Sequence, residues 1–308
     1  MLSLKDIIFA FPSSCTDIET PLLISSIRKF AGKFSNSPIW VVTTKKNIEI
    51  PSKMVDFFNS MNVQVVYLNE RSDIMKLPFI GFTQCAAKAE SLAKGKTKFL
   101  VWLGSNSLVI NEPKEFLLAD GINLGFRPVH HTLIGSLYDK PLDSFWEMIY
   151  KKCKVDGSKV FPMKTHVDGN TLRPYINSGF LIVRPEKQFL QTWAERYKNM
   201  IYDEEIEEFF RKDELYAIFT HQAVLSSLFL TEFEKEEIFQ LPFEYCYPIH
   251  LFHESLEVLQ PDSINQMITM RLYIDKLLNP EWRESVPIEE PLKSWLDNKL
   301  EEYSELVK

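Results

Sequence analysis

Three short stretches of this 308-residue chain carry polar groups placed where chemistry is done. The first is KFLVWLGSNSLVI, residues 98–110, in which an apolar strand delivers Gly104, Ser105, Asn106 and Ser107 to a loop. Open parallel sheets bind ligands beyond such strand ends, and hydroxyls and an amide there can hydrogen-bond a polar ligand or simply cap a turn. The second is RPYINSGFLIVRP, which sets Asn177, Ser178 and Gly179 just before a buried strand; glycine there admits a ligand or another backbone at close range. The third is THQAVL, residues 220–225, read as helix, where Gln222 beside His221 could reach a polar ligand or make a helix-end hydrogen bond, and Val224 and Leu225 turn to the core.

Other chemistries lack their signatures. The sequence has no G-x-G-x-x-G after its first strand, no G-x-x-x-x-G-K-[ST] and no H-E-x-x-H. Cys246, His250 and His253 cluster in sequence, but a fourth zinc ligand is not evident. His130 and His131 follow Arg127 at a strand end, and alternation along a strand predicts that they face opposite ways.

The elements that must position these groups alternate. Apolar runs at Asp6–Phe11, Pro38–Thr44, Val63–Asn69 and Lys98–Leu103 read as strands. Between them lie amphipathic helices. One begins near Thr20-Pro21, one holds Met54, Phe57 and Phe58, and one runs over Phe82–Lys94 to Gly95. That succession predicts an α/β fold with an open, mostly parallel twisted sheet flanked by helices. Further strands are expected over 108–110, 121–128 and 180–183, a turn at Asp168-Gly169-Asn170, and helices over 142–150, 186–200 and 213–229. The acidic EEIEEFF stretch reads as a solvated face. Leu292, Trp295, Leu296, Leu300, Tyr303 and Leu306 fit a last helix that packs on the core or makes a homodimer contact.

Hydrophobic residues make up 45% of the chain, enough to fill a large core. A formal charge of -7 weighs against nucleic acid as a partner. No apolar run approaches the roughly 18 residues that cross a bilayer, and the N-terminus lacks signal-peptide features, so a cytoplasmic protein is expected. Four widely spaced cysteines suit that compartment. One domain over 1–308 is expected: a first half to about 110, an elaborated second half to about 255, and a C-terminal helical extension over 256–308.

Taken in order, FLVWLGSNSLVINEP, YINSGFLIVRP and HQAVL resemble motifs of the nucleotide-diphospho-sugar glycosyltransferases of the GT-A fold, over residues 5–255. The resemblance implies transfer of a sugar from a nucleotide-sugar donor to a hydroxyl acceptor. It implies nucleotide contacts from Phe11, Pro12 and Ser13, donor contacts from Ser105, Asn106, Asn177, Ser178, Gly179 and Gln222, and acid/base roles for Asp168 and His221. The family's Asp-x-Asp pair, which holds a divalent cation, falls on Gly104 and Asn106, so at most weak Mn²⁺ or Mg²⁺ binding is expected, with His253 as its candidate ligand. Two alternatives remain: a catalytically inactive nucleotide-sugar or carbohydrate-binding relative, and a sugar-phosphate nucleotidyltransferase.

Overall fold

The computed structural model describes residues 4–68 and 78–306. Strand β1 (Lys5–Pro12) leads into helix α1 (Glu19–Phe30), then β2 (Ile39–Thr43), α2 (Ser52–Ser60) and β3 (Val63–Tyr67). Asn69, expected to end the third strand, lies outside the described residues. Helix α3 (Ile80–Ala93), β4 (Thr97–Leu103), the short β5 (Ser107–Val109) and β6 (Leu124–Pro128) follow. Next come α4 (Ser144–Cys153), a hairpin of β7 (Met163–Lys164) and β8 (Thr171–Leu172), and β9 (Ile176–Val183). Helices α5 (Phe189–Met200), α6 (Glu204–Lys212) and α7 (Glu214–Glu232) precede β10 (Ile238–Gln240), β11 (Tyr247–Pro248) and β12 (Thr269–Arg271). Two one-turn helices, α8 (Ile274–Leu278) and α9 (Pro280–Glu284), lead to α10 (Leu292–Leu306).

Seven strands form one twisted sheet in the order β10-β6-β9-β4-β1-β2-β3. All run in one sense except β9, which pairs antiparallel with both β4 and β6. The first end of β9 is therefore set beside the last ends of β1 and β4. A second sheet, β11-β12-β5, grows from the loop after β4.

Both faces of the main sheet are covered, which is why its strands read as continuous apolar runs rather than alternating ones. Phe99, Val101 and Leu103 of β4 enter one core with Phe9 and Phe11, beneath α1, α2 and α10. Leu100 and Trp102 enter the other, with residues of α3, α4, α5 and α7. That period of two buries the Phe11 side chain completely in the first of these cores.

Local chemistry sets several boundaries. The N-cap of α1, Ile18, has no capping side chain; Asp17 before it accepts the Thr20 N–H through Oδ1 at 2.8 Å, and the Thr20 hydroxyl meets Ser13 Oγ. Asp143 caps α4 by accepting from Trp146 N at 3.0 Å. The EEIEEFF stretch is α6, and of its residues only Ile206 is buried, as an amphipathic solvated helix requires. Helix α10 packs against α1: Tyr303 hydrogen-bonds Ser25, and its ring meets Phe57 edge-on at 5.5 Å. The segment expected to be a helical extension is more than that, because it also supplies β12.

Candidate functional site

A cleft of about 520 Å³ opens at the last ends of β1 and β4, the edge at which open α/β sheets bind ligands. A depression of about 610 Å³ sits at the opposite edge, beside Lys5 and Ile39, where the parallel strands begin. The first is the candidate site, because the three polar stretches meet there. Pro12 ends β1 in its wall; Ser105 and Asn106 come from the loop after β4, Asn177, Ser178 and Gly179 from the start of β9, and His221 and Gln222 from α7.

The β9 and α7 groups are locked together. Gln222 Oε1 accepts the Ser178 N–H at 3.0 Å, and Ser178 Oγ lies 2.9 Å from His221 Nε2. The His221 ring stacks on Phe79 with centroids 4.2 Å apart and planes within 5°. Burial pushes the His221 pKa down to about 3, against a smaller opposing pull from the Ile218 carbonyl. Burial holds the ring neutral at pH 7, and its Nε2 is engaged with the Ser178 hydroxyl. It holds β9 against α7, which is covered on all sides from Thr220 to Leu230.

Asn177 is an anchor as well. Its Oδ1 accepts from Gly179 N at 3.0 Å and from Arg271 Nη1 at 3.2 Å, and its Nδ2 lies 3.3 Å from His130 Nε2. Desolvation, then the charges of Arg271 and Arg127 with His250 and His166 nearby, hold His130 well below the usual histidine range. As a neutral ring, its Nε2 accepts from the Asn177 amide.

Four sequence candidates fall outside the cleft lining: the buried Phe11, and Ser13, Asp168 and His253. Ser13 Oγ is committed to the β1–α1 turn, accepting the Cys15 N–H at 2.7 Å and meeting Thr20 Oγ1 at 2.6 Å. The Asp168 carboxylate accepts from Thr132 N at 2.8 Å, Thr132 Oγ1 at 2.7 Å and the Thr165 hydroxyl. Burial raises its pKa, but the Thr165 and Thr132 hydrogen bonds more than offset this and leave it lowered. It therefore ties down the loop that carries His130 and His131. His253 is exposed and meets Ser285 Oγ at 2.7 Å, facing away from His250, which lines the cleft.

Several lining residues were not legible in sequence. His130 and His131 both line the cleft, because the chain has left β6 before them and strand alternation no longer applies. Glu19, at the start of α1, is the one carboxylate lining it among the described residues; burial first, then Asp17 and Asp275, raise its pKa despite an opposing backbone hydrogen bond. Arg271 and Tyr273 come from β12 and the residues after it. The Leu272 N–H donates to the Asn106 carbonyl at 2.9 Å, which binds this segment to the loop after β4. His250 Nδ1 donates to the Arg271 carbonyl at 3.1 Å, and burial lowers its pKa to about 4.

A divalent cation at positions 104 and 106 does not fit these residues. A Cβ built on Gly104 would lie 2.8 Å from Asn106 Oδ1 and 3.3 Å from Arg271 Cζ, so a carboxylate has neither presence nor room there. A divalent ion about 4 Å from that guanidinium would also meet a repulsion of about 8 kcal/mol at an effective dielectric near 20.

The sheet order defines an open α/β fold whose strand-end cleft is lined by polar and aromatic groups. Residues 7–226 match the Rhodobacterales glycosyltransferase domain, and the chain belongs to that family. No curated protein matches it in sequence. Among solved structures it is similar to the galactosyltransferase LgtC in complex with donor and acceptor sugar analogs (TM-score 0.49, 13% identity, covering 98% of this chain and 95% of that one). It is also similar to the apo-form glycosyltransferase GlyE of Streptococcus pneumoniae TIGR4 (0.49, 12%, 99% and 62%) and to apo WbbM, a bifunctional glycosyltransferase (0.45, 12%, 94% and 46%). The chain thus spans less than half the length of WbbM.

Proposed function

We propose that the cleft binds a nucleotide-diphospho-sugar and transfers its sugar to a hydroxyl acceptor. The observation that carries this reading is the convergence of the loop after β4, the first residues of β9 and Gln222 of α7 on one cleft at the strand ends. Family membership supports it independently. In the reaction, the bond from the anomeric carbon to the diphosphate breaks, the bond to the acceptor oxygen forms, and the hydroxyl proton is released to water.

The chain's part is positioning and electrostatics. Ser105 and Asn106 offer hydrogen bonds beside the donor, with the Gly104 N–H fixed on the Gly179 carbonyl at 2.7 Å. His250, its Nδ1 committed to backbone, presents Nε2 as an acceptor for a sugar hydroxyl. Tyr273, 57% exposed and 4.1 Å from the His250 ring, offers an apolar face at the mouth.

A panel of nucleotide sugars titrated calorimetrically, with and without Mn²⁺, while released nucleoside diphosphate is assayed in the presence of candidate acceptors, tests the reading. Binding with turnover is expected. Binding without turnover under every acceptor would favour a binding-only relative, product formation from nucleoside triphosphate and sugar phosphate a nucleotidyltransferase, and no binding across the panel would remove the donor site.

A further inference from the structure

We infer that Arg271 is the cation of this cleft's diphosphate subsite, standing where the family resemblance puts a divalent metal ion. The inference rests on the donor-binding reading above and adds the group that neutralises the leaving diphosphate.

Four observations converge. The Arg271 side chain crosses from β12 to lie over the two glycines at the strand ends. Its Cζ is 3.3 Å from the Cβ position of Gly104 and its Nη1 2.3 Å from that of Gly179. Any larger residue at 179 would collide with the guanidinium, so glycine there makes room for the cation. Second, the guanidinium has no counter-charge: no salt bridge among the described residues includes it. Its Nη1 donates to the neutral Asn177 Oδ1, the Cys246 thiol is also a hydrogen-bonding neighbour, and its Nε is buried without a hydrogen-bond partner. A part-buried cation without an anion is costly unless a ligand supplies one. Third, Arg271 is the one lysine or arginine lining the cleft among the described residues. Fourth, the side chain is held from both ends. Asn177 fixes Nη1, while the Arg271↔Ser107 register and the His250–carbonyl bond fix the backbone.

A planar guanidinium with free N–H groups matches a phosphate oxygen pair, and its charge offsets the negative charge that the diphosphate gains as the anomeric bond breaks. Arg271 neither donates nor receives a proton in that step.

The test uses the full chain and three probes: a nucleoside diphosphate selected from the common set, the matching nucleoside, and inorganic pyrophosphate, each titrated in EDTA. Arg271→Gln removes the charge and shortens the side chain by two bonds while keeping an amide donor, and Arg271→Lys restores the charge without the fork. We expect nucleoside diphosphate and pyrophosphate to bind the native protein in EDTA. Arg271→Gln should weaken both by about 10- to 100-fold, Arg271→Lys should recover part of the loss, and nucleoside affinity should be unchanged. A circular dichroism melt of each variant confirms folding. Diphosphate affinity that vanishes in EDTA, returns with Mn²⁺ and ignores Arg271→Gln would overturn the inference while leaving the donor reading intact. Arg271-dependent pyrophosphate binding with no affinity for any nucleoside diphosphate would leave the anion subsite standing and remove the donor reading. No binding of any phosphate probe would remove both.

Discussion

Gly179→Ala is the sharpest probe of the geometry, because it leaves every charge in place and moves one. Gly179 lies in β9 without a left-handed backbone, so alanine introduces no strain there. Its Cβ, however, would sit 2.3 Å from Arg271 Nη1, where contacts under about 3 Å do not persist. The guanidinium must retreat by about 1 Å, which breaks the 3.2 Å bond to Asn177 Oδ1. That bond contributes about 1 kcal/mol, and replacing glycine within a strand returns about 0.5–1 kcal/mol, so stability should hardly change. Binding should change far more, since a 1 Å misplacement of a positioned group can lower rates by about 100-fold. The expected result is a melting temperature within a few degrees of native and a nucleoside diphosphate affinity at least about tenfold weaker in calorimetry. A variant that melts normally and binds the diphosphate as tightly as native protein would refute the placement of Arg271 as the phosphate cation.

Three further predictions concern stability and the other candidates. Burial lowers the pKa of His166 and His250 to about 4 and of His221 to about 3, and His130 lies well below its ordinary value, so each is neutral in the fold but protonates near 6.5 when unfolded. Their stabilisation is complete above pH 6.5 and is lost as pH falls, while Glu90, raised to about 7 by burial against its bonds to Gln191, acts in the opposite sense. Glu19, also raised by burial, acts with Glu90, but the four histidines outnumber them, so stability in urea unfolding should fall as pH drops from 7 to 5; a flat profile over that range contradicts these assignments. Asp168→Ala should lower stability by about 1 kcal/mol and the transfer rate by less than about tenfold, whereas a loss of 100-fold or more would restore it as an acid/base residue. Tyr303→Ala, which removes a fully buried ring from the α10–α1 contact, should cost about 3–5 kcal/mol in denaturant titrations, and a change below about 1 kcal/mol would show that α10 adds little.

The sequence by itself determined the layers. Runs such as DIIFAF and KFLVWL, spaced by amphipathic helices, specify strands buried on both faces, because strand and helix periods are local properties of neighbouring residues. It also marked the loop at 104–107, the start of β9 and the His221–Gln222 pair, since each sets polar groups within or beside an apolar run. Tertiary structure decided what those groups do. Phe11 proved to be core because strand alternation turns it inward, and Asp168 a tether because the hairpin sets it against Thr132. Arg271 sits 94 positions from the asparagine that holds it, in a segment with no distinguishing motif. Only the pairing of β12 with β5 carries its charge over Gly104 and Gly179, because a side chain's electrostatic role depends on what the fold places within a few ångströms of it.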